Sequence, residues 1–163
     1  MDETGFAPSL PTTYSWSRRG QRKVIQYQAP KGRRVNVVGA YSGDEFTFHI
    51  ESGKLTAELF LAFITTLVPN PGTQPVVIVL DNYSIHKAKR IQPSIKALER
   101  QGLYLFFLPP YSPELNHIEP CWRHIKHERM IVRLFESQNA LHQGVEDALV
   151  QYATELNTQR LPA

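Results

Sequence analysis

Two carboxylates in this sequence follow segments that are predicted to end at one edge of a sheet. Asp81 closes "VVIVLD", a continuous apolar run rich in β-branched residues, which is typical of a strand buried on both faces. Glu119 lies in "LPPYSPELNHIEP", where Asn116 is a good helix N-cap and Pro120 is tolerated only near a helix start. Ligands of α/β folds bind at the carboxyl ends of parallel strands, so both carboxylates are candidates for chemistry.

Each carboxylate also has an ordinary structural explanation. Asp81 precedes a predicted helix that it could cap, and a first-turn glutamate such as Glu119 favours the helix macrodipole. The functional alternative is a metal site. Carboxylates that converge on one point, three in the case considered below, repel one another unless cations neutralise them, so such a cluster is a metal-site hypothesis. Oxygen-only ligands favour Mg²⁺ or Mn²⁺, and two such ions about 4 Å apart can activate an attacking oxygen and stabilise a leaving oxygen in phosphoryl transfer.

Positive charge is concentrated in one stretch of the chain. The net charge is only +3, yet seven of the 18 Lys and Arg residues lie between residues 18 and 34, where there is no Asp or Glu. Such a stretch on an otherwise acidic chain fits a phosphate-backbone partner, and a solvated basic loop is the alternative. The seven residues are Arg18, Arg19, Arg22, Lys23, Lys31, Arg33 and Arg34.

Strands and helices alternate around these residues. If "DETGF" is the end of a first strand, the order of elements matches a mixed α/β sheet, antiparallel in its first strands, parallel in its later ones and flanked by helices. The other predicted elements are a short strand at 23–27, a hairpin from "RRVNVVGAYS" and "EFTFHIESG", helices at 56–67, 88–98, 118–133 and 137–157, and strands at 76–81 and "LYLFFLPP".

The composition excludes several classes of protein. A chain of 163 residues with 42% hydrophobic content fits one compact domain. No segment has the roughly 18 uninterrupted apolar residues of a membrane span or the core of a signal peptide, so we expect a cytoplasmic protein. Cys121 is the single cysteine, which rules out an internal disulfide. His124 and His127 are three residues apart but lack suitably arranged further ligands for zinc.

Five segments together resemble one known family. "DETGF", "WSRRGQ", "NVVGAYS", "VIVLDNYSIHKA" and "LYLFFLPPYSPELNHIEPCWRHIK" are similar to successive blocks of the DDE superfamily endonucleases, specifically insertion-sequence transposases related to the mariner group. The resemblance runs from residue 2 to about residue 130. It implies a ribonuclease-H-like fold, and a catalytic and metal-binding triad at Asp2, Asp81 and Glu119 that holds two Mg²⁺ ions, for which Mn²⁺ can substitute.

The resemblance also implies a reaction and its partners. The family hydrolyses a phosphodiester at the ends of its element, and the freed 3′-hydroxyl then attacks target DNA, within a homodimer or larger assembly. His86, in "DNYSIH", recurs in the family pattern, where it contacts phosphate or positions a ligand; a bridge from the strand end to the next helix is the alternative. The residues expected to contact DNA are Arg18, Arg19, Arg22, Lys23, Arg33, Arg34, His86, Arg123 and Lys126.

The sequence departs from the family pattern in two places. His117 stands where the family usually has proline, and only Met1 precedes Asp2, where family members have a complete first strand and an N-terminal helix-turn-helix region. We therefore expect a single catalytic domain over 1–163 with a truncated first strand, its core ending near residue 133 and a C-terminal helix over 134–163. A catalytically silent DNA-binding or assembly module is the alternative, because ordering a terminal ligand costs entropy.

Overall fold

The structure is a computed structural model that describes residues 1–8, 16–21, 34–43, 45–70, 73–130 and 137–159. The short strand predicted at 23–27 lies outside these ranges. The strands are β1 (Asp2–Phe6), β2 (Val35–Tyr41), β3 (Phe46–Glu51), β4 (Val76–Leu80) and β5 (Leu103–Phe107). The α-helices are α1 (Ala57–Thr65), α2 (Gln92–Arg100), α3 (Glu119–His124) and α4 (Gln138–Gln159).

The strands form an antiparallel sheet and a parallel pair. β1, β2 and β3 pair antiparallel in that order, with Asp2 opposite Gly39 in β2. β4 and β5 pair in parallel along their full lengths. The amino group of Met1 donates a hydrogen bond of 2.8 Å to the carbonyl of Val79, which ties the start of β1 to β4. The predicted combination of antiparallel first strands and parallel later strands is confirmed.

Two apolar clusters cover the sheets with helices. In the first, α1 and α2 pack on the parallel pair, and its most buried members include Phe60, Ile64, Leu80 and Leu103. In the second, α3 and α4 pack on the antiparallel sheet, and its most buried members include Ile118, Ile125, Leu141 and Leu149. Burial of large apolar side chains is the main favourable contribution to folding, so these clusters hold β1 and β4 in place. No helix in the described ranges is both long enough and apolar enough to cross a membrane.

Two predicted helices begin or end differently in the structure. The helix predicted from Ala88 begins at Gln92, because Ala88 is extended (ψ 126°) and separates two single turns of 3-10 helix. The helix predicted over 118–133 is regular only as far as His124, and a π-helical turn continues it to Arg129. Residues 131–136 lie outside the described ranges.

Candidate active site

Asp2 lies on the face of β1 that α3 covers. Side chains alternate along a strand, so Asp2 and Thr4 point to one face and Glu3 to the other. The indole Nε1 of Trp122 in α3 donates a hydrogen bond of 3.1 Å to Asp2 Oδ2. Gly39, opposite Asp2, makes room for this indole, because an alanine Cβ at position 39 would lie 2.7 Å from Trp122 Cη2. The close packing of β2 and α3 therefore fixes one oxygen of the Asp2 carboxylate.

Asp81 follows the last residue of β4 and is open to solvent. Its side chain is 53% exposed, and its Oδ1 accepts a hydrogen bond of 2.9 Å from the backbone N–H of Tyr83. The next residue, Asn82, donates from Nδ2 to the carbonyl of Leu108 at 2.5 Å, which joins the ends of β4 and β5. The structure thus places Asp81 at the carboxyl edge of the parallel pair, as the sequence predicts.

Glu119 is the first residue of α3, but Asn116 is not its N-cap. Ile118 occupies the N-cap position, and no side chain caps the helix, so the prediction for Asn116 is wrong. The Asn116 side chain is buried and donates instead to the carbonyl of Met1 at 3.3 Å. This hydrogen bond binds the loop before Glu119 to β1, because a buried amide requires a partner and Met1 supplies one.

Burial and the other two predicted carboxylates raise the pKa of Asp2. The pKa of Asp2 is raised to about 7, first by burial and then by the negative charges of Glu119, Glu3 and Asp81, against the opposing hydrogen bond from the backbone of Glu3. Like charges and desolvation both disfavour the ionised form of an acid. An acid whose pKa is raised this far by burial and neighbouring carboxylates is a candidate functional group.

The tightest group of ligand atoms is a different set of three. Among the described residues, Glu3, Asp81 and His86 are the group whose carboxylate or imidazole ligand atoms all lie within 4.8 Å of one another. Asp2 and Glu119 are outside this group. The structure therefore brings Glu119 and Asp81 within electrostatic reach of Asp2, but the three carboxylates do not form one compact ligand set among the described residues.

His86 is buried between Glu3 and Asp81. Its Nε2 lies 2.8 Å from Glu3 Oε1, and its Nδ1 lies 3.4 Å from Asp81 Oδ1. Burial lowers the pKa of His86, but the hydrogen bond and charge of Glu3, together with Asp81, outweigh burial and raise it above its ordinary value. Both ring nitrogens face protein groups and the side chain is 1% exposed, so His86 has no open side toward a DNA phosphate in this structure.

Lys126 is half-buried and contacts residues of β1. Its ammonium group donates to Thr4 Oγ1 and lies 5.3 Å from the centre of the Phe6 ring. Burial lowers the pKa of Lys126, while the charges of Glu119 and Asp2 act to raise it. Lys126 is therefore a positive charge close to the carboxylates.

The other basic residues expected to contact DNA differ in what the structure describes. Arg18, Arg19, Arg34 and Arg123 are exposed, so their guanidinium groups are accessible to a phosphate backbone. Arg22, Lys23 and Arg33 lie outside the described residues.

The sequence analysis missed Glu3 and Trp122 as members of the site. Glu3 adjoins Asp2, but the alternation of β1 sends it to the opposite face, where His86 meets it. Once β1 is recognised as a strand, the alternation of its side chains could have indicated that Glu3 faces inward and needs a polar partner. Trp122 belongs to a predicted helix, and nothing in its spacing identifies Asp2 as the acceptor of its indole N–H.

Comparisons with known proteins agree with this architecture. The sequence profile of the DDE superfamily endonucleases matches residues 1–142. An uncharacterised 39 kDa protein of insertion element IS630 from Shigella sonnei is 25% identical over 109 residues, which is 66% of this chain and 31% of that protein. The chain thus spans about a third of the length of this relative.

Solved structures share the fold at low sequence identity. The Mos1 mariner paired-end complex with Mn superposes with a TM-score of 0.64 at 14% identity, over 96% of this chain and 51% of that chain. The catalytic core domain of BIV integrase superposes with a TM-score of 0.52 at 22% identity, over 81% of both chains. The expected ribonuclease-H-like fold is confirmed. With a family profile that covers most of its length, the chain belongs to the DDE superfamily of endonucleases.

Proposed function

We propose that this chain is the catalytic domain of a transposase, which hydrolyses DNA phosphodiester bonds at element ends. The freed 3′-hydroxyl then attacks a phosphodiester of target DNA, which joins the element strand to the target and releases a 3′-hydroxyl of the target. The observation that carries the proposal is the placement of Asp81 at the carboxyl end of β4 in a chain whose residues 1–142 match the DDE endonuclease profile. Burial and the charges of neighbouring carboxylates also raise the pKa of Asp2 to about 7. Concentrated negative charge of this kind disfavours the metal-free state and favours binding of a divalent cation. The names of the similar proteins, an insertion-element protein and a mariner transposase, point to the same chemistry.

The donor set fits a hard divalent cation. Asp2, Asp81 and Glu119 offer only carboxylate oxygens, which suit Mg²⁺ or Mn²⁺ better than zinc. We propose that these three residues hold two such ions, which supply activation of the attacking oxygen and stabilisation of the leaving oxygen when bound.

The protein's own residues prepare this site in distinct ways. Trp122 fixes Asp2 Oδ2 by its indole N–H, and the backbone N–H of Tyr83 fixes Asp81 Oδ1. Glu119 lies at the N-terminal end of α3, where the helix dipole favours a negative charge. Lys126 offsets part of the negative charge before a cation is bound, because its ammonium group is influenced by both Asp2 and Glu119.

DNA is the proposed partner in both steps. The element ends are bound for hydrolysis, and the target DNA is bound for strand transfer. The exposed Arg18, Arg19, Arg34 and Arg123 would neutralise phosphates of the DNA backbone. The same role is proposed for Arg22, Lys23 and Arg33 from their place in the basic stretch of the sequence. We propose that residues 1–163 act as one catalytic domain within a homodimer on the DNA, in the cytoplasm.

Cleavage of supercoiled plasmid tests this function directly. In the presence of Mn²⁺ the chain should nick the plasmid, and Asp81→Asn or Glu119→Gln should abolish nicking while the protein stays folded. Asp147→Asn, which changes an exposed carboxylate on α4, is the matched control and should nick at the wild-type rate. Equal nicking by all four proteins would overturn the assignment of the metal ligands.

One observation favours a second candidate, a catalytically silent DNA-binding or assembly module. Asp2 and Glu119 do not join Asp81 within the 4.8 Å group of ligand atoms. A calorimetric titration with Mn²⁺ separates the two functions, because a silent module should bind no metal at millimolar concentration, whereas the catalytic domain should bind it.

A further inference from the structure

Glu3 and His86 form a buried pair beside Asp81, one of the proposed metal ligands. The Glu3 side chain is 7% exposed and that of His86 1% exposed, and Glu3 Oε1 lies 2.8 Å from His86 Nε2. Burying either polar group without a partner would cost several kcal/mol, on the order given by transfer from water. Each residue therefore requires the other, although neither belongs to the three carboxylates proposed to bind metal.

The second ring nitrogen of His86 faces Asp81. Nδ1 lies 3.3 Å from the Asp81 carbonyl oxygen and 3.4 Å from Asp81 Oδ1. A carboxylate can only accept, so Nε2 donates to Glu3 Oε1, and Nδ1 donates to Asp81 because both ring nitrogens of a protonated imidazole are donors. These two contacts fix the orientation of the ring. The contacts run from Glu3 through His86 to Asp81.

The surroundings of His86 hold its ring rigidly. The Phe60 ring lies 4.4 Å away and the Tyr83 ring 5.8 Å away, centre to centre. Asp81, by contrast, has a side chain that is 53% exposed at the end of a strand. The backbone N–H of Tyr83 holds Asp81 Oδ1 on one side, and the packed imidazole of His86 is a second fixed neighbour of the same carboxylate.

We propose that Glu3 and His86 are positioning residues: Glu3 orients the imidazole of His86, and His86 holds Asp81 in the orientation in which it binds the divalent ion. This inference rests on the proposed function, since it takes Asp81 as a metal ligand. It assigns a role to Glu3, which the triad does not include, and a role to His86 other than contact with DNA.

The affinity of the full chain for Mn²⁺, measured from the EPR signal of the free ion, tests the inference without reference to activity. Glu3→Ala should raise the dissociation constant by roughly 10-fold to 100-fold, the range typical for loss of a group that orients a metal ligand. Glu3→Gln should stay within about 3-fold of wild type, because its side-chain oxygen still accepts from Nε2. The control is Glu128→Ala, which removes the carboxylate of a solvent-facing Glu–His pair with His124 and should leave the affinity unchanged.

A double variant keeps the test decisive if Glu3→Ala fails to fold. Glu3→Leu with His86→Phe replaces both polar partners by apolar groups, a change that is often neutral for stability. It should fold and still bind Mn²⁺ at least about 10-fold more weakly than wild type.

Three results would overturn the inference. The first is an unchanged dissociation constant in folded Glu3→Ala or in the double variant, and the second is a Glu3→Gln variant as weak as Glu3→Ala. The third is a ¹⁴N coupling in the pulsed EPR spectrum of bound Mn²⁺ that His86→Phe removes, because it would make His86 a direct ligand. Failure of the unsubstituted chain to bind Mn²⁺ would instead contradict the proposed function, and this inference with it.

Discussion

Asp2→Asn should make the metal-free protein more stable while it abolishes metal-dependent cleavage. Asparagine has nearly the same shape as aspartate, and its side-chain oxygen can still accept the hydrogen bond from Trp122 Nε1. What the substitution removes is the negative charge that burial and the nearby carboxylates disfavour. A gain in stability together with a loss of activity is expected when a residue serves catalysis at a cost in stability.

The magnitude follows from the pKa of Asp2. It rises from 3.8 to about 7 on folding, a shift of about three units, and each unit corresponds to about 1.4 kcal/mol. Between these two pH values the native state binds more protons than the unfolded state, so the free energy of unfolding falls as pH rises. The free energy of unfolding of the wild-type protein should therefore fall by up to about 4 kcal/mol between pH 4 and pH 8 through Asp2. The Asp2→Asn variant should not show this fall.

Urea denaturation in EDTA, at intervals from pH 5 to pH 8, measures this difference. The gap between Asp2→Asn and wild type should widen steadily with pH and level off above pH 7. Asp2→Leu removes both the charge and the acceptor for Trp122, so it should show the same pH dependence from a lower starting stability. A gap that is constant with pH, or that narrows as pH rises, would refute the reasoning about Asp2.

Two further substitutions test the packing around Asp2. Gly39→Ala should lower the free energy of unfolding by about 1–3 kcal/mol, measured by urea denaturation, because the new Cβ would lie 2.7 Å from Trp122 Cη2; a stability equal to wild type would show that the indole has room to move. Trp122→Phe removes the donor to Asp2 Oδ2 and should cost about 1.5–3 kcal/mol above pH 7 beyond the loss of apolar area, and less at pH 5, where Asp2 is largely protonated. A loss that is the same at both pH values would contradict the role of the hydrogen bond.

The strands that carry the site are predictable from the sequence because their patterns are strong. The apolar run of β4 and the alternation in β3 correctly predict strands, and Asp81 follows the end of β4 as expected. The prediction that β4 is buried on both faces is wrong, because Val77 and Val79 are exposed. The helix starts are less predictable. Asn116 has a good local signal for a cap, but a tertiary contact overrides it, because its side chain bonds to Met1 instead. Ala88 has a good local signal for a helix, but its backbone is extended.

The contacts within the site could not be predicted from spacing alone. Glu3 and His86 are 83 positions apart, and Asp2 and Trp122 are 120 positions apart, so no local pattern links them. These pairs form because Trp122 in α3 meets one face of β1 and His86, which follows β4, meets the other. The sequence predicts the alternation of β1 but not which neighbour meets each face.

Asp2 and Glu3 are adjacent acids, and their opposite faces of β1 give them opposite energetic roles. Asp2 carries a charge that burial, Glu119 and Asp81 disfavour, so neutralising it should stabilise the metal-free fold. Glu3 carries a charge that His86 pairs at 2.8 Å, so removing its side chain leaves a buried imidazole without its partner and should destabilise the same fold. The sign of the stability change therefore separates a carboxylate held ready for a cation from one that holds its neighbour in place, even before any metal or DNA is added.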